Sequence, residues 1–358
     1  MLHSVVAFLI TISAAVFLCC APVTVDAFSR LQLRTLGPDD HATPIVGVLT
    51  MELSRRTLRR YPNRNLTSYI AASYVKFVEG AGARAVPIWI GQSPEYYKDI
   101  VTKVNGILFP GGATSLNKSN GYAEAGFHLF QAAKELNEQG IYFPIWATCL
   151  GFELLTYIEA NKKEHRSSCS SQKQPLPLEF KEGYNKSRLF GNAPDDVISI
   201  LKKHNVTANF HQYCITEKTF EEYGFDKDWD ILSVNHDWNN FKFISTIEHK
   251  RYPFYGVQYH PEKNLYEFIE NRGIPHSAQS IRAAQYFADF FINETRQNMN
   301  KFSDSKEEEN SLIYNYTPEF TGRAGSSFVQ QYLFTGNKTA NTSSEPTRTL
   351  AGWLWCRI

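Results

Sequence analysis

Cysteine is scarce in this chain, and so is any excess of charge of one sign. Six cysteines in 358 residues are too few for a disulfide-stapled scaffold, and 37 Lys and Arg face 36 Asp and Glu. A chain so close to neutral has no long-range field to recruit nucleic acid or an anionic membrane. We therefore predict no nucleic-acid partner, and recognition of an anionic ligand would have to be local.

Long apolar runs are missing outside the amino terminus. Residues 5–20 are apolar but too short, with their flanks, for a comfortable transmembrane helix, and Val25-Asp26-Ala27 offers small residues to a signal peptidase. We predict a signal peptide at 1–27 and no stable membrane insertion. An uncleaved N-terminal anchor is the alternative. Trp353-Leu354-Trp355, near the other end, is far too short to span a bilayer.

Asn-x-Ser/Thr sequons agree with a secretory route. Their asparagines are Asn65, Asn117, Asn185, Asn205, Asn293, Asn315, Asn337 and Asn341. So many sequons behind a signal peptide predict glycosylation at several of them. The pattern does not indicate which ones are occupied.

Removal of the signal would leave Cys149, Cys169, Cys214 and Cys356. If Cys149 must stay free, the other three cannot all pair within one chain. A bond between Cys169 and Cys214 is one option, although nothing in the local sequence supports it.

Cys149 lies where the chain must turn sharply. The apolar run 141–146 predicts a buried strand and 150–160 predicts a helix, with Thr148 and Gly151 flanking the cysteine. A nucleophile at such an elbow projects above the sheet, close to the free amides of the next helix, and those amides favour a thiolate. The alternative is a buried structural cysteine, a common fate in an α/β core.

A second strand, beginning at Phe254, ends in His260-Pro261-Glu262. A histidine there can act as base and then acid for the cysteine, and a carboxylate two residues on can hold the imidazole in one tautomer. A strand-end turn with a solvated His and Glu is the alternative. The two stretches together favour a cysteine nucleophile with a His–Glu pair.

These motifs resemble the class I glutamine-amidotransferase-like hydrolases and, within them, the gamma-glutamyl hydrolase family. The resemblance covers roughly 44–334 and is carried by the strings at 69–76, 80–84, 209–211, 243–246, 252–253 and 257–263. It implies an α/β fold with three α/β/α layers and a flavodoxin-like, mostly parallel sheet. A strand at 44–50, a helix from Ile70 with Ser68 as N-cap, and a strand at 85–90 agree, since they predict a parallel crossover.

The resemblance also sets the expected organisation and activity. It implies a hydrolase domain at 28–334 and a divergent, disordered tail at 335–358. The implied substrate is a folyl or antifolyl poly-γ-glutamate, cleaved through a thioester without a cofactor, in the lysosome, vacuole or extracellular space. A homodimer is a further expectation. We also expect a mobile polar loop at 161–178.

Other candidate site residues each have a plain alternative. The amides of Gly111 or Gly112 and of Leu150 would hold an oxyanion, unless Gly-Gly is an ordinary turn. Glu153 would contact substrate or be a solvated helix residue. By resemblance, Tyr69 and His211 would lie at the substrate pocket, or both would be structural. No metal site is indicated, because the histidines lack ligand spacing.

Two other functions remain open. A glutaminase domain that delivers ammonia to a synthase would use the same nucleophile and histidine. A secreted binding protein that has lost catalysis would keep the pocket, although Cys149, His260 and Glu262 argue against that loss.

Overall fold

A mixed β-sheet forms the centre of the structure, a computed structural model that describes residues 42–336. The predicted signal peptide, nearly all of the predicted tail, two sequons and Cys356 lie outside the described residues.

The strands are β1 (Ile45–Leu49), β2 (Met51–Glu52), β3 (Leu66–Ala71), β4 (Arg84–Ile88), β5 (Gly106–Phe109), β6 (Ile145–Thr148), β7 (Ser167–Leu176), β8 (Glu179–Phe180), β9 (Thr207–Cys214), β10 (Trp229–His236), β11 (Lys242–His249), β12 (Phe254–Val257) and β13 (Gln331–Thr335). The α-helices are α1 (Arg55–Arg60), α2 (Ala72–Glu79), α3 (Pro94–Ile100), α4 (Tyr122–Glu138), α5 (Leu150–Glu159), α6 (Arg188–Gly191), α7 (Asp195–Lys203), α8 (Glu217–Glu222), α9 (Pro261–Tyr266), α10 (Ala278–Thr295) and α11 (Ser305–Ser311). Short 3₁₀ turns lie at Tyr184–Lys186, Phe225–Lys227, Ile313–Asn315 and Gly322–Ala324.

The central sheet has the strand order β4-β1-β5-β6-β12-β11-β10-β8. The first five strands run parallel, and β11, β10 and β8 add antiparallel pairs at one side. One group of helices, α3, α4 and α5, covers one face, and a second group, α2, α7, α9 and α10, covers the other. The expected three-layer α/β fold with a mostly parallel sheet is confirmed.

Burial on both faces explains why the central strands are almost wholly apolar. Every residue of β1, β5 and β6 is buried. Trp146 in β6 is fully buried against the rings of Phe77 from α2 and of Phe287 and Phe291 from α10. The strand that leads to Cys149 is thus held in place by large aromatic side chains.

A small sheet of order β13-β3-β2 differs from the sequence expectation. Residues 66–71 form β3 instead of the start of a helix, so Ser68 is not an N-cap and α2 begins at Ala72. The antiparallel partner β13, which pairs with β3 over most of its length, supplies the hydrogen bonds that keep this segment extended. β13 also shows that the folded part of the chain continues to Thr335, one residue past the expected domain boundary.

The expected mobile loop at 161–178 is wrong over most of its length, because residues 167–176 form β7. This strand pairs antiparallel with β9, with two irregularities in register. A disulfide between Cys169 and Cys214 joins the two strands. The pairing that the sequence left open is therefore formed, and it ties a polar ribbon to the strand that precedes α8.

Within residues 42–336, no helix is both long and apolar enough to cross a membrane. The expected homodimer stays a prediction, since the structure describes one chain.

Candidate active site

Cys149 occupies the sharp turn between β6 and α5. Its φ of 52° lies in the left-handed region, which a residue with a side chain adopts only where surrounding contacts enforce it. The Cys149 amide donates to the Val257 carbonyl at 2.8 Å, and the Cys149 carbonyl accepts from the Glu153 amide at 2.9 Å. Gly151 permits the tight turn, because a Cβ there would lie 2.2 Å from the Phe109 carbonyl oxygen. This is the geometry of a nucleophile elbow.

His260 and Glu262 follow β12 at the neighbouring strand end. The imidazole Nδ1 donates to the Glu262 carboxylate at 2.7 Å, and both side chains are almost completely buried. Glu262 therefore orients the ring and leaves Nε2 as the free nitrogen. Burial lowers the pKa of His260 below its ordinary value, so the imidazole rests in its neutral form.

The nucleophile and the histidine meet at Gly111, just past the end of β5. A Cβ added to Gly111 would lie 2.7 Å from Cε1 of His260 and 3.0 Å from Cβ of Cys149. Both side chains therefore press against one glycine. The structure brings together the three residues that the sequence singled out as a triad.

Tyr74 joins this group, and the sequence analysis missed it. Its hydroxyl accepts a hydrogen bond from the Gly111 amide at 2.8 Å and lies 3.3 Å from Nδ1 of His260. Burial and then the Glu262 carboxylate raise the pKa of Tyr74 well above 10, so the hydroxyl stays protonated and can donate to Glu262. An apolar helix position was the only sequence signal, and it is typical of a core residue.

The contact with Tyr74 removes one of the amides that were expected to form the oxyanion hole. The Gly111 amide is already bound to the tyrosine hydroxyl and is not available. The Gly112 amide has no acceptor among the described residues, and Leu150 lies in the first turn of α5, where amides lack intrahelical partners. Gly112 and Leu150 are therefore the amides that the geometry leaves for a developing oxyanion.

The thiol of Cys149 differs from the expected resting thiolate. Burial, and after it the carboxylates of Glu153 and Glu262, raise the pKa of Cys149 well above 9. The Leu150 amide and the charge of Lys263 act in the opposite direction but do not compensate. The site at rest therefore holds a neutral thiol beside a neutral imidazole, because a dry site disfavours the charged form of each.

Glu153 is neither solvated nor part of the cavity wall. Its carboxylate forms a buried ion pair with Arg166 at 2.7 Å and accepts from the Gln258 amide at 3.1 Å. The same Gln258 nitrogen lies 3.9 Å from the sulfur of Cys149. Glu153 thus supports the nucleophile from behind and does not line the cavity, and the expected contact with substrate stays a prediction. Arg166 carried no signal in the sequence, since it lay in the presumed loop.

The two remaining candidates lie in different places. Tyr69, in β3, lines the cavity above Cys149, with its hydroxyl 3.7 Å from the sulfur of Met51. His211 is buried outside the cavity wall, where its Nδ1 lies 3.1 Å from the Tyr213 carbonyl oxygen. Burial lowers the pKa of His211 to about 3, so it is neutral.

One cluster in the described residues has metal-ligand chemistry. The side chains of Cys169, His211 and Cys214 place their ligand atoms within 4.8 Å of one another. Because the two sulfurs are joined as a disulfide, they are not available as thiolates, the form in which cysteine binds metals.

A cavity of about 400 Å³ opens beside the triad. Cys149 and His260 lie in its wall with Gly112, Phe210 and Phe328, and residues of α1 also line it. The arrangement can therefore present an acyl group to a cysteine, with a histidine in reach as proton carrier and two amides for the oxyanion.

Known proteins are similar to this sequence over most of its length. The profile of the family described as Peptidase C26 matches residues 44–262. The chain is similar to gamma-glutamyl hydrolase of Homo sapiens, with 36% identity over 323 residues that cover 90% of this chain and 99% of that protein. It is 40% identical to gamma-glutamyl hydrolase of Bos taurus over 81% of this chain and 89% of the other. It is 32% identical to gamma-glutamyl hydrolase 1 of Arabidopsis thaliana over 83% of this chain and 84% of the other.

The raised pKa of Cys149 makes a direct prediction for its reactivity. We expect iodoacetamide to alkylate Cys149 at pH 7 at least roughly tenfold more slowly than a cysteine in an unstructured peptide, with a rate still rising beyond pH 9. Alkylation at Cys149 would be followed by peptide mass spectrometry. Glu153→Gln, which removes a carboxylate that raises this pKa, should speed alkylation at any one pH. A plateau reached by neutral pH would instead show a thiolate–imidazolium pair.

Proposed function

This chain belongs to the Peptidase C26 family, whose members include the gamma-glutamyl hydrolases, and we propose that it hydrolyses the γ-glutamyl amide bonds of folyl and antifolyl poly-γ-glutamates. It is a cysteine-type hydrolase. The observation that carries the proposal is that the side chains of Cys149 and His260 both lie against Gly111, at the wall of an open cavity.

In the first half of the reaction, the sulfur of Cys149 attacks the γ-carbonyl carbon of a glutamyl unit. His260 accepts the thiol proton on Nε2 as the bond forms, so two neutral groups separate charge only when the substrate is in place. Glu262, which holds Nδ1–H, stabilises the imidazolium. The amides of Gly112 and Leu150 bind the oxyanion of the tetrahedral intermediate.

In the second half, the imidazolium gives its proton to the leaving amine as the carbon–nitrogen bond breaks. A thioester on Cys149 remains, and the glutamate or short γ-glutamyl chain beyond it departs. Water then attacks the thioester, with His260 taking one proton from the water and returning it to the sulfur. The shortened folate is released with a new γ-carboxyl group, and the thiol is restored.

We also propose that the protein enters the secretory pathway and acts in the lysosome, the vacuole or the extracellular space. The Cys169–Cys214 disulfide supports an oxidising compartment. The described sequon asparagines support glycosylation, since all are exposed except the half-buried Asn293.

The hydrolase proposal is tested by glutamate release from a folate pentaglutamate. Wild-type protein should release glutamate or short γ-glutamyl chains, and Cys149→Ala should reduce the rate by at least roughly 10⁴-fold with the fold retained. Cys356→Ala, which changes a cysteine outside the described residues, is the control and should keep full activity. Hydrolysis by Cys149→Ala at the wild-type rate would reject the mechanism, and tight binding without turnover by the wild type would favour the binding protein.

Tyr74→Phe should lower kcat by roughly ten- to a hundredfold and leave KM nearly unchanged. The Gly111 amide would lose its buried acceptor, and the His260–Glu262 pair would lose a contact, an effect of about 1–3 kcal/mol. Steady-state kinetics on the same substrate would measure this.

Tyr97→Phe is the matched control for that substitution. Tyr97 is equally buried, and its hydroxyl also accepts from a backbone amide, that of Gln92, but it lies away from the cavity wall. Both variants should lose similar stability, and only Tyr74→Phe should lose turnover. Equal turnover in the two variants would remove Tyr74 from the mechanism.

The proposed compartment is checked on protein secreted from eukaryotic cells. N-terminal sequencing should give a start near Phe28, and glycosidase digestion should lower the mass and expose aspartate at occupied sequons. A chain that retains Met1 and has no glycan would contradict the secretory route.

A further inference from the structure

Basic side chains dominate the cavity although the chain as a whole is nearly neutral. Arg56, Arg60, Lys263 and Arg272 line it, against one carboxylate, Glu52, among the described lining residues. Glu52 is not paired with any of these basic side chains. One of its oxygens accepts a hydrogen bond from the Tyr122 amide, and its carboxylate forms no ion pair with a described residue. Because the chain as a whole is nearly neutral, any recognition of an anionic ligand must be local. The basic side chains of this cavity provide such a local site.

Lys263 is the buried member of this group. Only 5% of its surface is exposed, and its ammonium lies 4.4 Å from the ring centre of Phe328 and 5.4 Å from that of Phe210. Its ammonium forms no ion pair or hydrogen bond with any described residue. Glu267 lies close enough for the charge of Lys263 to favour its ionised form, but no ion pair joins the two side chains. The direct contacts of the ammonium are therefore aromatic rings, and it has no direct anionic partner among the described residues. Its position in the wall that also holds Cys149 and His260 favours an anionic group of a ligand as the missing partner.

Arg56 and Arg60 are brought together without a carboxylate between them. They lie one turn apart on α1, and a Cβ built on Gly325 would be 3.2 Å from a terminal nitrogen of Arg56 and 4.0 Å from one of Arg60. Neither these guanidinium groups nor that of Arg272 forms an ion pair or hydrogen bond within residues 42–336. An anion that binds between two like charges relieves their mutual repulsion. Guanidinium groups also match carboxylates in shape.

A γ-linked glutamate chain has the complementary pattern. Each unit uses its side-chain carboxyl in the amide bond and keeps its α-carboxylate free, so the chain presents one negative charge at every step. Resting on the proposed function, we propose that Lys263 binds the α-carboxylate next to the scissile amide, and that Arg56, Arg60 and Arg272 bind α-carboxylates of units farther along the chain.

This assignment makes the four basic side chains of the cavity the determinant of substrate specificity. Chains with several carboxylates engage both Lys263 and the arginines, whereas a γ-glutamyl dipeptide reaches Lys263 alone. The protein thus distinguishes poly-γ-glutamate from neutral amides by charge spacing along the cavity, and its affinity rises with chain length until the arginines are engaged.

The test measures equilibrium binding in a Cys149→Ala background, so that it does not depend on turnover. The ligands are a γ-glutamyl tetrapeptide, the same tetrapeptide with its outer α-carboxylates converted to carboxamides, and a γ-glutamyl dipeptide. Arg56→Gln/Arg60→Gln is compared with Arg55→Gln/Arg59→Gln, which removes the same charge from exposed positions of the same helix that do not line the cavity.

We expect the double variant Arg56→Gln/Arg60→Gln to raise the Kd of the tetrapeptide by roughly tenfold or more. The control Arg55→Gln/Arg59→Gln should change this Kd by less than about twofold. The Arg56/Arg60 effect should vanish with the carboxamide ligand and with the dipeptide. Lys263→Met should weaken the dipeptide and the tetrapeptide alike.

Equal effects of the two arginine pairs, or an Arg56/Arg60 effect that persists with the carboxamide, would overturn the assignment to the arginines. An unchanged dipeptide Kd in Lys263→Met would overturn the assignment to Lys263. Since wild-type hydrolysis is measured separately, loss of this binding pattern with turnover intact would reject the recognition proposal and leave the hydrolase standing.

Discussion

The close approach at Gly111 is the constraint on which the site depends. The end of β5 must come within contact distance of the nucleophile, the histidine and the Tyr74 hydroxyl at once, and only a residue without a side chain leaves that space. The parallel sheet makes the approach feasible, because β5, β6 and β12 end at the same edge. The reacting groups are therefore positioned by neighbouring strand ends in one rigid layer.

A second constraint is the dryness of the site. Burial moves the pKa of Cys149 up and that of His260 down, so both groups are uncharged at rest. The charged side chains around the site differ in whether they have an ion-pair partner. Glu153 is neutralised behind the nucleophile by Arg166, an ion pair whose rupture would leave a buried charge, whereas Lys263 faces the cavity without such a partner.

The sequence predicts the fold and the triad well, because both depend on local patterns. Cys149 and His260 each follow an apolar strand, and their chemistry is visible in the residues themselves. Residues 66–71 and 167–176 were misassigned because their strand state depends on distant partners, β13 and β9, and on a disulfide. The polar ribbon 167–176 shows no apolar alternation that would mark it as a strand.

Supporting residues were harder to predict for the same reason. Tyr74 looks like any aromatic residue on the buried face of a helix, and Arg166 like any charge in a polar segment. Their roles arise from the hydroxyl's distance to Gly111 and from the carboxylate that Arg166 meets, which are facts of tertiary packing. The same holds for the basic cavity, since its members come from α1, α9 and the segment after α9.

The pairing of β13 with β3 bears on the order in which the protein is assembled during synthesis. A contact between Thr67 and Phe334 joins positions 267 residues apart, and the cavity wall includes Ser326 and Phe328. The ribosome therefore delivers the nucleophile and the histidine well before it delivers the last wall of the cleft. A nascent chain in this state holds its catalytic groups without an enclosed site, and the pairing that completes the cleft is a long-range step in folding.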